Sequence, residues 1–143
     1  MAAAEKILVV DDNVETLRLM AMVLRRQGYQ VLAARDGVQA LTLAQRQLPD
    51  LILLDVMMPG VDGIEVTRRL RADAATAGIP IIMFTAKSGL EDELKGFEAG
   101  ADDYLTKLAS PPELLARVKA LLARAAKPSH GRVIGLLAAR GGL

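Results

Sequence analysis

LILLDVMMPGVDG, residues 51–63, places one carboxylate at the end of four apolar side chains. The unbroken apolar run Leu51 to Leu54 is the pattern of a short strand covered on both faces, as in the middle of a parallel sheet. Asp55 stands where that strand leaves the core, and Pro59 and Gly60 punctuate the loop that follows. An ionised carboxylate beside a core is costly unless something cationic meets it. The segment therefore asks two things of the rest of the chain: what flanks this strand, and what meets Asp55.

Two more runs answer the first question. Ile7 to Val10 and Ile79 to Phe84 are equally short and nearly continuous, so they join Leu51 to Leu54 as central strands. YQVLAA from Tyr29 and DDYLT from Asp102 mix polar and apolar residues, which suits edge strands with one protected side. Between them lie stretches of helical spacing: Leu17, Met20, Leu24; Leu41, Ala44, Leu48; Ile64, Thr67, Leu70; Leu90, Leu94, Phe97; and Leu114, Val118, Leu121, Leu122. Asp12, Asp36, Asp62, Ser88 and Ser110 each precede Glu or Gln by three residues, the capping-box pattern, and Gly28 and Gly100 stand where helices should stop. This alternation predicts a flavodoxin-like (βα)5 domain, a doubly wound parallel sheet in the order 2-1-3-4-5. Ligands in such sheets bind outside the carboxyl ends of the strands where the winding reverses, here between the first and third strands.

The 143 residues suffice for one domain. A 52% hydrophobic composition excludes a disordered chain, and 18 basic against 17 acidic residues with no block of like charge argue against direct nucleic-acid contact. The chain has no cysteine, which excludes disulfides and thiol chemistry and is compatible with a reducing compartment. The N-terminal MAAAEKILVV is interrupted at once by Asp11 and Asp12, so it predicts neither a signal peptide nor membrane insertion, and the expected location is cytoplasmic. Composition shifts at KPSHG, which sets a domain of residues 1–126 and a linker or tail of 127–143.

The predicted order brings Asp11 and Asp12, ending the first strand, beside Asp55, ending the third. Three converging carboxylates repel unless a cation is bound, and an all-oxygen set without His or Cys suits Mg²⁺ rather than zinc. Thr85 and Lys107 end the remaining two strands on the same side. A nucleophilic carboxylate, a metal, an ammonium and a hydroxyl, with the Ala86 N–H beside it, form the set that phosphoryl transfer to Asp55 requires. Singly, each residue has an ordinary alternative: Asp12 as a helix cap, Thr85 and Lys107 as structural or solvated groups, Tyr104 as edge packing, Met57 and Met58 as filler.

In their order, VVDDN, LLDVMMPGVDG, MFTAK and GADDYLTK resemble the response-regulator receiver domains of two-component systems, CheY-like and OmpR-like, over residues 5 to 126. The resemblance implies that Asp11 and Asp12 hold Mg²⁺, with Asp12 the more direct ligand, together with Asp55 and the backbone carbonyl of Met57. It implies that Asp55 takes a phosphoryl group from the phosphohistidine of a sensor histidine kinase or a phosphotransfer protein, and that Lys107 pairs with that group. Thr85 and Tyr104 correspond to the family's switch pair, and Met57 and Lys87 to positions tuning the lifetime of the phosphorylated form. The domain would act as a signalling switch that catalyses its own phosphorylation and dephosphorylation. Lys95, Asp102, Asp103, Glu113, Arg117 and Lys119 fall on the face of the fourth helix, fifth strand and fifth helix, through which similar receivers dimerise; the expected pairs are Lys95 with Glu113 and Asp103 with Arg117.

The chain departs from the family at Leu108, where proline usually follows the lysine in a cis bond; a trans bond is expected here. That departure supports a competing reading, an unphosphorylated pseudo-receiver serving as an interaction module. A phosphohydrolase is a third, disfavoured because Met57 occupies the place of its second acid. The tail GRVIGLLAARGGL resembles the opening of a P-loop ATPase of the partition and pilus-assembly type, with Arg140, Gly141 and Gly142 at the start of a variant phosphate loop.

Overall fold

The structure, a computed structural model, describes residues 3–125. Its elements alternate without exception: β1 (Lys6–Val10), α1 (Val14–Arg26), β2 (Gln30–Ala34), α2 (Gly37–Gln47), β3 (Leu51–Leu54), α3 (Gly63–Ala72), β4 (Ile81–Thr85), α4 (Leu90–Ala99), β5 (Asp103–Thr106) and α5 (Pro111–Ala125). The strands form one parallel sheet in the order β2-β1-β3-β4-β5, as the apolar runs predict. The tail resemblance and the boundary near 127 lie outside the described residues.

Alternation along each strand sends successive side chains to opposite faces. Ile7, Val9, Leu51, Leu53, Ile82 and Phe84 pack with Leu17 and Leu24 of α1 and Leu114, Val118 and Leu121 of α5. Leu8, Val10, Ile52, Leu54 and Ile81 turn the other way, onto Ala40 and Ala44 of α2 and Val66 and Leu70 of α3. Each fully buried Leu or Ile contributes about 1.5–3 kcal/mol, so β1 and β3, buried on both sides, form a rigid platform for the acids that follow them.

Two helix starts differ from the capping-box reading. Asn13, not Asp12, caps α1, its side chain accepting from Thr16 N at 3.0 Å. Gly89, not Ser88, precedes α4, with no side-chain cap. Asp36 and Asp62 cap as expected, at 2.7 Å to Gln39 N and 2.9 Å to Glu65 N, and Ser110 accepts from Glu113 N at 3.3 Å. The return half of the box is displaced: Gln39 accepts from Arg35 N, while Glu65 pairs with Arg69. Leu48 caps α2 in the left-handed region at φ 45° and is exposed rather than in the core.

The expected apolar face of α4 is also reversed. Leu90, Leu94 and Phe97 are exposed, and the buried residue of this helix is Gly96. A Cβ there would lie 2.7 Å from Met83 Sδ and 3.1 Å from Tyr104 Cδ2, so α4 meets the sheet through its bare backbone. Asp102, expected on the outer face, is exposed there and also bonded back to the fold: its Oδ2 accepts from Ile81 N at 2.8 Å and from Arg71 Nη2 at 2.9 Å. Arg71 also donates to the carbonyls of Ala77, Ile79 and Gly100, strapping the end of α3 to the start of β4 and the end of α4.

Candidate functional site

Register fixes where the acids emerge. Val10 is level with Leu54 in the β1–β3 pair, so Asp11 and Asp55 leave the sheet side by side. Asp55 N donates to Val10 O at 2.9 Å and Asp11 N to Ala34 O at 3.1 Å, extending the ladder by one residue on each side. Both side chains are buried while Asp12 is exposed, and oxygens of the three lie within 4.8 Å of one another. With Asn13 capping α1, Asp12 is free of the helix and turned to the cluster. Asp11 Oδ1 accepts from Asn13 N at 2.9 Å, and Asp55 Oδ1 from Met57 N at 3.1 Å, leaving each acid a second oxygen. Gly63 permits the loop after Asp55 to close, because a Cβ would collide with the Asp55 carbonyl and Val56.

Lys107 reaches the site from β5. Its Nζ is 2.7 Å from Asp11 Oδ2 and 3.2 Å from Asp55 Oδ2, so it bridges the two buried acids and is nearer to Asp11 than to the residue it was expected to serve. Lys107 N donates to Thr85 O at 2.8 Å, which locks the ends of β4 and β5 together. None of the described peptide bonds is cis; Lys107–Leu108 is trans, and Leu108 is 95% exposed. Without that proline the Lys107 ammonium still reaches both buried acids, and its backbone N–H stays bonded to the end of β4.

The electrostatics show an incomplete balance. Burial pushes the Asp11 carboxyl above the usual carboxylate range; the bonds from Lys107 and Asn13 oppose this and the charge of Asp55 reinforces it. Burial alone would lower Lys107, but its bond to Asp11 and the field of Asp55 outweigh it and its pKa rises. The two partners of one ion pair thus disagree in sign of benefit: pairing stabilises the charged lysine, yet one ammonium does not compensate the burial and crowding of the acids. A hard divalent cation with oxygen preference fits that deficit.

Thr85 is fully buried at the end of β4, its Oγ1 accepting from Lys87 N at 3.3 Å, with Ala86 exposed beside it. Tyr104 lies inward, 5% exposed, and its hydroxyl donates to Lys87 O at 2.9 Å. The carbonyl of Lys87 as the partner of Tyr104 was not legible beforehand, because a backbone acceptor carries no residue-type signal. Met57 is half exposed, and Lys87 Nζ lies 3.8 Å from Asp92. On the α4–β5–α5 face, Arg117 Nη1 is 2.8 Å from each Asp103 oxygen within the chain, Arg117 Nη2 is 3.7 Å from Glu113, and Lys95 pairs with Glu91 at 3.6 Å and lines the α3–α4 cleft.

The family model described as response regulator receiver domain matches residues 7–119. The chain belongs to the response-regulator receiver family. As a receiver it is 48% identical over 120 residues to DNA-binding response regulator MtrA of Mycobacterium tuberculosis, covering 84% of the chain and 51% of that protein. It is 50% identical over 125 residues to transcriptional regulatory protein ResD of Bacillus subtilis, covering 87% and 51%. The receiver chain thus spans about half the length of the curated relatives it matches. Among solved structures, a response regulator of Chloroflexus aurantiacus superposes with TM-score 0.80 at 41% identity, covering 84% of this chain and 98% of that one. The receiver domain of a sensor histidine kinase from Pseudomonas aeruginosa, described with a magnesium ion coordinated in its active-site cleft, gives 0.79 at 36%, covering 85% and 99%. Receiver domains work by phosphoryl-transfer signalling, and the acidic pocket here is consistent with that. Among the described residues no helix is long and apolar enough to cross a membrane.

Proposed function

We propose that Asp55 accepts a phosphoryl group from the phosphohistidine of a sensor histidine kinase or phosphotransfer protein, and that the acyl phosphate switches the α4–β5–α5 face. What carries this reading is the buried pair Asp11 and Asp55 bridged by the half-buried Lys107, with Asp12 at its mouth. Asp11, Asp12, Asp55 and the carbonyl of Met57 would hold Mg²⁺. When bound, the ion supplies charge neutralisation for the phosphoryl oxygens and screens the carboxylates from one another.

The residues of the chain do the rest. Asp55 Oδ2 attacks phosphorus as the imidazole leaves, and Lys107 shifts from Asp11 toward the new oxygens while Thr85 Oγ1 and Ala86 N donate to another. Thr85 and Tyr104 act as the switch, through the Lys87 carbonyl on the loop they share. Raising an active form from a small minority to dominance needs roughly 5.5 kcal/mol, which several charge-assisted contacts to a group of about two negative charges can supply. The site acts in the cytoplasm in this reading, and the near-neutral composition supports an output through protein contacts rather than direct nucleic-acid contact by this domain. A twofold pairing of copies, Lys95 with Glu113 and Asp103 with Arg117, is the alternative occupant of the output face and is tested below. We also propose that GRVIGLLAARGGL, residues 131–143, opens a P-loop ATPase unit with Arg140, Gly141 and Gly142 at the start of its phosphate loop; a Gly-Lys-Ser/Thr-like continuation of the encoding gene supports this, and a stop codon defeats it.

Incubation with Mg²⁺ and acetyl phosphate, followed by intact-mass measurement, tests the central claim. One phosphate is expected on the native chain and none on Asp55→Asn. Absence of any gain with acetyl phosphate or a phosphorylated kinase would favour the pseudo-receiver.

A further inference from the structure

The exposed apolar residues of α4 form a line. Leu90, Leu94 and Phe97, at i, i+4 and i+7, share one face of the helix and are 72%, 52% and 45% exposed. Large apolar side chains scattered singly on a surface need no explanation, but three in register on one helix make a patch of the kind that marks an interaction site. Their exposure follows from the packing: the sheet takes the Gly96 side of α4, where Met83 and Tyr104 leave no room for a side chain, so the apolar side has nowhere to go but outward.

Charge defines what fits there. Between Leu90 and Ala99 the helix carries Glu91, Asp92, Glu93 and Glu98 against the single Lys95. Lys95 is held by Glu91 and Lys87 by Asp92, whereas Glu93 and Glu98 make no salt bridge among the described residues. Glu93 lies one turn before Phe97 and Glu98 one turn after Leu94, so unpaired carboxylates bracket the apolar line on both sides. An anionic lipid surface or a nucleic-acid backbone would be repelled by that border. A second copy brought together about a twofold axis adds its own α4 acids to the same face, and it finds Arg117 already bound to Asp103.

We propose that the Leu90–Leu94–Phe97 face of α4 docks a basic amphipathic segment of a partner protein, apolar residues seated on the line and Lys or Arg on Glu93 and Glu98. The proposal rests on the receiver reading in that it names the partner chemistry of the output face. Helix-on-helix recognition of this kind takes its affinity from a few apolar anchors and its specificity from the flanking charges.

The full chain, isotope-labelled and held in Mg²⁺ so that the Asp11–Asp12–Asp55 cluster is occupied, is titrated by nuclear magnetic resonance with a synthetic leucine–lysine amphipathic peptide and with its leucine–glutamate counterpart. Shifts confined to amides of α4 and its neighbours, seen with the lysine peptide only and weakened by roughly ten-fold or more in both Leu94→Asp and the double variant Glu93→Lys, Glu98→Lys, support the proposal. It is overturned by no shifts, by shifts centred on the acid cluster, by equal binding of the glutamate peptide, or by self-association in sedimentation that Leu94→Asp abolishes, which would assign the face to a second copy. Mass measurement after acetyl phosphate on the same samples separates the two claims: phosphorylation without docking sinks only the surface, and docking without phosphorylation sinks only the assignment of Asp55.

Discussion

Helices α4 and α5 follow the two strands at one end of the sheet and carry the same kind of apolar spacing, yet they use it in opposite ways. α5 buries Leu114, Val118, Leu121 and Leu122 against β1, β3 and α1, whereas α4 turns Leu90, Leu94 and Phe97 to solvent and buries Gly96. Periodicity establishes that a helix has an apolar side; it does not say what that side meets. What decides is the room left on the sheet. α5 lies over the central strands, where large side chains fill the groove beside α1, while α4 rests on Met83 and Tyr104, which already fill theirs. Stability measurements should separate the two helices sharply. Leu114→Ala, at a fully buried position, is expected to cost about 2–5 kcal/mol by denaturant unfolding. Leu94→Ala should change stability by no more than about 0.5 kcal/mol, as at any exposed site. Equal losses at both positions would mean that α4 buries its apolar line after all.

Gly96 offers a finer way to break the contrast. In a helix held mainly by its own propensity, Gly96→Ala would stabilise by about 1 kcal/mol. Here the new methyl would meet Met83 Sδ and the Tyr104 ring well inside contact distance, so a net loss of about 1–3 kcal/mol is expected from overpacking. Gly78→Ala, where nothing lies within 4 Å of the added carbon, serves as the control and should be near neutral. A stabilised Gly96→Ala protein would show that α4 does not depend on its close approach to the sheet.

These two helices also mark where the sequence was legible. Strand order could be read because continuous apolar runs identify β1, β3 and β4 as strands buried on both faces, and that order alone carries Asp11, Asp12 and Asp55 to one place. Lys107 and Thr85 followed for the same reason, as residues ending the last two strands on the same side. Less was legible where several residues compete for one geometric role. Asn13 rather than Asp12 caps α1, although the residue three beyond Asp12 is a glutamate, because the cap is chosen by where the chain leaves β1. The Asp102–Arg71 strap was missed since its acceptors are mostly backbone carbonyls, and an acid beside Asp103 looks like one more surface charge. Leu108 illustrates the converse: it departs from the family pattern directly after Lys107, yet the bond is trans and the lysine ammonium meets both buried acids.

The smallest effect, and the most local probe of the acidic character of α4, is the ionisation of Tyr104. Burial raises its phenol above the ordinary value of 10.0, and Asp92, Glu93 and Asp55 add to the rise in that order. Tyr29, the other tyrosine of the chain, stands before β2 at the opposite edge of the sheet and is also raised, by burial and then by Glu5. Because the native phenol keeps its proton above the unfolded value, the folded state binds more protons than the unfolded one from pH 10 up to the native pKa. Stability should therefore fall as pH rises through that window and be indifferent to these groups below it. Lysines titrate in the same range, so phenolate absorbance rather than unfolding is the clean measurement. The native protein should show both steps above pH 10, and Tyr104→Phe should leave that of Tyr29 alone. In Glu93→Gln the Tyr104 step should move back toward 10.0 while the Tyr29 step stays in place, because only Tyr104 lies under the acids of α4. If the two steps respond alike, the field over Tyr104 does not come from that helix, and the acidic border assigned to α4 is lost.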